Sequence, residues 1–291
     1  MRLGVITDGI SHDLDRALDV MLAHGLREAE LQYVDGVEVG DLDGPAVRRA
    51  RASLRDREVV VSCVSRHLFA GMTMADSAPG DALHRRHMDA LARCIETARE
   101  LDCPLVRIMT GRKEQILWGS HGAERWNVAT GAWDAQLALL APAVELARAE
   151  GTTLVVETGN GTMVNSCRTA KRLIDELDAK DVLRVLWDPA NACWAHELAW
   201  PDGLACLAGG YLGHVHVKDV LVDVPGATLE VRPLGEGQLG PLLPAIAAAL
   251  REDGYAGSIS FESVYHPGDG DFEAGFRLNA NRFRALFGDP G

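Results

Sequence analysis

Eight short apolar, β-branched runs punctuate this chain, and between them lie longer segments whose apolar residues recur at helical spacing. The runs fall at residues 2–7, 28–33, 58–65, 104–109, 153–157, 183–188, 213–218 and 258–262. Stripes such as Met88, Leu91, Ile95 and Ala98, or Trp133, Leu137, Leu140 and Val144, each give a helix an apolar face that can cover a sheet. A strand-helix unit repeated eight times closes as a barrel or lies open as a doubly wound sheet, and eight units favour closure. The open sheet would also carry an early Gly-x-Gly-x-x-Gly turn, where this chain reads Asp8-Gly9-Ile10-Ser11. The pattern therefore predicts an α/β fold, a (β/α)₈ barrel, with residues 1–291 forming one domain. Residues 111–133 fit neither period. Their Trp118 and Trp126 read equally as a lid over a site and as a packed or oligomer-forming insertion.

Composition narrows the partners. With 291 residues, 47% of them apolar, the chain can bury a large core. It has no run of about 18 apolar residues, and its start, MRLGVITDGI, enters a strand without a basic n-region, so no membrane partner and no export are expected. Six scattered cysteines without a C-x₂-C pair read as reduced thiols, in keeping with the cytoplasm. A formal charge of -13 argues against a nucleic-acid partner, and the oligomeric state stays open, a homo-oligomer included.

The chemistry gathers at the ends of the last four strands, in VVETGN, LWDPAN, HVHVKD and SFES. Side chains of a barrel strand alternate between interior and helix layer. If Val156, Val185, Trp187, Val215, Val217, Ile259 and Phe261 face the helices, then Glu157, Asp188, His214, His216, Lys218 and Glu262 face inward. Three inward carboxylates without a neighbouring arginine run repel one another, and a cation among them is the simplest remedy. Three carboxylates and one imidazole form a mostly oxygen donor set, which suits Mn²⁺ first, then Mg²⁺, with Co²⁺, Fe²⁺ or Zn²⁺ as alternatives.

The strings ETGNG, DPAN, GHVHVKD, PLGEGQLG and FES resemble the sugar phosphate isomerase/epimerase group of the xylose isomerase-like TIM barrels. That group includes ketose 3-epimerases, hydroxypyruvate isomerase, inosose dehydratase and endonuclease IV. The resemblance implies one divalent metal held by Glu157, Asp188, His216 and Glu262, a small carbohydrate substrate, and a double role for Glu157 and Glu262 as catalytic acid and base. Metal chelation of a carbonyl and its neighbouring hydroxyl acidifies the C–H between them, and a glutamate with a free oxygen takes the proton. Return on the other face is epimerisation, return to the adjacent carbon is isomerisation, and loss of a β-hydroxyl makes a lyase.

Other residues read as substrate contacts, each beside a structural alternative. His214 touches substrate or is an interior histidine satisfied by a neighbouring strand. Lys218 neutralises a phosphate, polarises a hydroxyl or protonates a leaving group, with Asp219 orienting it or capping the loop. Asn191 stands where sugar epimerases and endonuclease IV carry a histidine, which weakens a direct transfer of free-ketose epimerase activity. His67 has inward parity with Cys63 and Ser65 and contacts substrate or is a loop histidine; Arg107 is a strut for Glu157 or a substrate clamp. Glu236, in the Gly235-Glu236-Gly237 turn, bonds a hydroxyl or pins its loop, and Asn160 reaches in from ETGNG.

Two functions lead: a metal-dependent isomerase or epimerase of a sugar or sugar phosphate, and a dehydratase of the inosose or dehydroshikimate type. An endonuclease IV-like trinuclear zinc site lacks ligands, given Thr110, Gly111 and Asn191 and no Asp-x-His after the seventh strand. A non-catalytic binding barrel sits poorly with the presence of both glutamates.

Overall fold

In the computed structural model, which describes residues 1–113, 131–268 and 270–288, eight parallel strands close into a barrel. They are β1 (Arg2–Ile6), β2 (Glu28–Leu31), β3 (Val60–Ser65), β4 (Leu105–Ile108), β5 (Thr153–Glu157), β6 (Leu183–Trp187), β7 (Leu212–Val217) and β8 (Ser258–Phe261). Each pairs with its neighbours in sequence, and β1 pairs with β8 to close the wall. Helices α1 (Leu14–Ala23), α2 (Gly44–Asp56), α3 (Ala82–Glu100), α4 (Ala132–Glu150), α5 (Cys167–Glu176), α6 (Pro189–Ala195), α7 (Leu243–Glu252) and α8 (Phe272–Phe287) lie between and after the strands. Aspartates at Asp13, Asp43, Asp81 and Asp271 cap the first turns of α1, α2, α3 and α8. Among the described residues no helix is long and apolar enough to cross a membrane. Trp118 and Trp126, read as a lid or an insertion, lie outside the described residues.

The core has two parts, divided by strand parity. Leu154, Val156, Val185, Trp187, Val215, Val217, Ile259 and Phe261 pack outward against the helices. Inside the barrel, Cys63, Val155 and Leu186 form a small separate apolar cluster with Leu105 against it. Above that plug the interior turns polar.

Two bulges hold the parity. Ala29 pairs with Val61 but Glu30 with Cys63, so β3 gains a residue, Ser62, and keeps Cys63 and Ser65 beside the inward Glu30. Likewise Val185 pairs with Leu212 but Leu186 with His214, which inserts Gly213 into β7. A Cβ on Gly213 would sit 2.5 Å from Arg184 Cβ, so glycine is required for the close approach. Without that extra residue the inward and outward sets of β7 would exchange.

The sequence places six of the eight strand ends one or two residues too far along, three of them at the cluster. β6, β7 and β8 stop at Trp187, Val217 and Phe261, so Asp188, Lys218 and Glu262 are the first residues beyond the ladder. Asp188 leaves it because its side chain caps α6, accepting from the backbone N–H groups of Ala190 and Asn191 at 2.9 and 3.3 Å. Similarly β2 ends at Leu31, and Tyr33–Val34 turns back on Val37–Glu38. The turn residues Asp35 and Gly36 both have positive φ, as a two-residue hairpin loop demands. A second ribbon, Asp219–Asp223 with Thr228–Arg232, follows β7.

Candidate metal centre and catalytic cleft

Glu157 ends β5, Asp188 follows β6, His216 stands on β7 and Glu262 follows β8, and one ligand atom from each lies within 4.8 Å of the others. His216 Nδ1 is 3.9 Å from Glu157 Oε1 and 3.7 Å from Glu262 Oε2. That nitrogen is buried and has no hydrogen-bond partner among the described residues. A buried polar atom left unpaired is costly in either protonation state, and one aimed at three carboxylates fits a divalent cation.

Charge balance points the same way. Arg107 donates from NH1 to Glu157 Oε2 at 3.0 Å, and Lys218 Nζ lies 2.5 Å from Asp188 Oδ2 and 2.6 Å from Glu262 Oε2. Beneath the cluster a fourth carboxylate, Glu30 on β2, accepts from His214 Nε2 at 2.8 Å and His216 Nε2 at 2.9 Å, and from Ser65 Oγ. With neutral imidazoles, these four acids face two fixed cations, and one divalent ion would cancel the remainder. Arg107 and Lys218 thus compensate half of the negative charge gathered there.

The titrating groups follow from these contacts. Burial works against a charged His216, but Glu30, Glu157 and Glu262 outweigh it and raise the ring to about 9. Burial raises Asp188, only partly offset by Lys218, while Lys218 and His216 overcome burial at Glu262 and hold it low. Burial likewise opposes charge on Lys218, yet Asp188 and Glu262 keep it protonated. Glu30 stays ionised because His216 and His214 overcome its burial.

Above the cluster the cleft divides into two lobes. The larger, about 590 Å³, is bounded by Met109, Arg112, Asn160, Asn191, Trp194 and Lys218; the smaller, about 310 Å³, by Asp8, His12, Gln32, Arg107 and Phe272. Glu157, Glu262 and His67 line both.

Residues 18–286 match the family described as xylose isomerase-like TIM barrel. The chain belongs to that family. No curated protein matches it. Among solved structures, the probable 3-DHS dehydratase AsbF of Bacillus anthracis superposes with a TM-score of 0.71 at 16% identity, over 97% of this chain and 100% of its own. L-ribulose 3-epimerase gives 0.71 at 21% identity, over 98% and 94%. A xylose isomerase-like TIM barrel protein from Mycobacterium smegmatis in complex with magnesium gives 0.64 at 18%, over 94% and 88%. At such identities the likeness speaks for the fold.

Within this xylose isomerase-like barrel the remaining expected site residues take clear places. Arg107 is buried, bonded to Glu157, and donates from Nη2 to Gln32 Oε1 at 3.3 Å, and it also lines the smaller lobe. Asn191 donates from Nδ2 to Thr158 O at 2.9 Å and to Glu157 Oε1 at 3.4 Å, so it steadies a cluster glutamate while lining the cleft. Two of these residues stand apart from the lobes. His214 is fully buried below His216, bonded to Glu30 and to Ser260 Oγ at 3.1 Å, and lines neither lobe. Glu236 is exposed and also lines neither lobe; Asp219 pins its loop instead, accepting from the N–H groups of Gly235, Gly237 and Leu239 at 2.8–3.0 Å. The sequence reading passed over Glu30. The parity rule finds it, since Ala29 and Leu31 face the helices and leave Glu28 and Glu30 inside.

Proposed function

We propose that this chain is a divalent-metal-dependent isomerase or epimerase of a small sugar or sugar phosphate, working in the cytoplasm as one barrel domain. The observation that carries the reading is that Glu157 and Glu262, both in the four-residue cluster, line both lobes of the cleft. A substrate spanning the lobes therefore borders both glutamates. The donor set favours Mn²⁺ or Mg²⁺ over softer ions. A cation held by Glu157, Asp188, His216 and Glu262 would supply Lewis acidity to a substrate carbonyl and its neighbouring hydroxyl.

The chain's own groups do the rest. Arg107 ties Glu157 Oε2 and Asn191 reaches Glu157 Oε1 only at 3.4 Å, while Lys218 ties Glu262 Oε2, so proton transfer falls to Glu157 Oε1 and Glu262 Oε1. One takes the proton beside the carbonyl, and the other returns a proton to the opposite face or to the adjacent carbon. His67 contacts the substrate where the lobes meet, and Asn191 borders the larger lobe. The solved epimerase structures of the same fold, and the six free thiols, support the reading.

Lys218 favours a second reading. A permanently charged amine 2.6 Å from Glu262 suits a donor to a departing hydroxyl, which would make the enzyme a dehydratase, the activity described as probable for AsbF. Deuterium wash-in from D₂O across ketoses, keto-inositols and their phosphates with Mn²⁺ separates the two. The isomerase reading expects exchange at one carbon without loss of water, reduced by about 10²–10⁴-fold in Glu157→Gln and in Glu262→Gln. A dehydrated product favours the lyase; full exchange in both variants overturns the two-glutamate mechanism.

A further inference from the structure

Glu30 lies one layer under the cluster, on β2, with no exposure to solvent. Isolated there, an ionised carboxylate would be very costly, so its bonds need explaining. Its oxygens lie 2.9 and 3.1 Å from His216 Nε2 and 2.8 Å from His214 Nε2, and Ser65 Oγ donates to it as well. An ionised carboxylate only accepts, so the ring proton facing it stands on Nε2 of each histidine. For His216 that leaves Nδ1, the unpartnered nitrogen, toward Glu157 and Glu262. The Ser62 bulge serves the same arrangement, since it sets Ser65 inward against Glu30.

We infer that Glu30 is a positioning residue of the metal centre: it fixes the His216 ring so that Nδ1 is the ligand atom, while His214 and Ser65 hold Glu30 in place. The inference rests on the metal reading above and adds to it a residue outside the four ligands. Carboxylate partners of this kind orient an imidazole and make it a better ligand. Glu30, His214 and His216 are also close enough together to bind an ion themselves. Hydrogen-bond spacing on the Nε2 side, with the orphaned nitrogen on the other, favours positioning.

The test is calorimetric titration of Mn²⁺ into the full chain and into Glu30→Gln, with ¹⁵N spectra of the ring nitrogens in Zn²⁺-loaded protein. Glutamine fills the same space but presents an N–H toward one imidazole, which spoils the shared acceptor. One ion per chain is expected in both proteins, bound about 10–100-fold more weakly by Glu30→Gln, with the wild-type His216 protonated at Nε2 and metal-shifted at Nδ1. An unchanged affinity in Glu30→Gln overturns the inference, as does a metal shift at His216 Nε2, or two ions per wild-type chain that fall to one in the variant. Should Glu30→Gln fail to fold, the wild-type ring spectrum decides alone. A wild-type chain that binds no ion refutes the metal reading itself, and this inference with it.

Discussion

His216 meets opposite demands on its two ring nitrogens. Nε2 is bonded to Glu30, and Nδ1 faces the cleft without a partner. Because the surrounding carboxylates raise the metal-free ring to about 9, a cation that binds through Nδ1 near neutral pH must expel a proton. Apparent metal affinity should therefore rise about tenfold per pH unit from about pH 7 and level off near pH 9. Titration calorimetry in buffers of different ionisation enthalpy would count the proton: about one released near neutrality, and none above pH 9. Binding that is flat in pH and releases no proton would refute Nδ1 as a ligand. Metal-free stability runs the other way. His216 is raised above its unfolded value of about 6.5, so its contribution is full below that pH and is lost as pH climbs through about 9.

Elements decide which side chains can meet. The bulge at Gly213 lets both His214 and His216 face inward, and Asp188 reaches the cluster by leaving the ladder to cap α6. The loop after β7 depends on a tighter fit. A Cβ on Gly237 would come within 2.3 Å of Asp219 Oδ1 and 2.4 Å of Val220 O, so Gly237→Ala must displace the loop that Asp219 pins. We expect it to cost about 1–3 kcal/mol in denaturant unfolding and to expose residues 233–239 to protease, whereas wild-type stability and cleavage would show that the loop yields freely. Much of this was legible in the sequence. Period-two alternation located all eight strands and the inward row of Glu157, Asp188, His216, Lys218 and Glu262, because apolar residues opposite them fix the phase. Glu30 escaped because it sits mid-strand, where no loop motif draws attention to it. For His214 and Glu236 the sequence leaves two roles open: inward parity does not tell whether a side chain borders the cavity or lies sealed beneath it, and a motif does not tell which of its residues holds the loop.

At the scale of the whole molecule the barrel divides its interior by height. An apolar plug of Cys63, Val155 and Leu186 is followed by the bonded layer of Glu30 and His214, and then by the cluster that opens into the two lobes. Buried acids at the open end of a barrel are expensive, and they can be kept where cations and substrate neutralise them. The fixed charges of Arg107 and Lys218 go halfway, and a divalent ion held among Glu157, Asp188, His216 and Glu262 would complete the balance. The most direct test is anomalous diffraction at the manganese edge from crystals grown with Mn²⁺. A single strong peak is predicted at about 2.1–2.3 Å from His216 Nδ1 and from carboxylate oxygens of Glu157, Asp188 and Glu262. No peak there, or a peak among Glu30, His214 and His216 Nε2, would contradict the account.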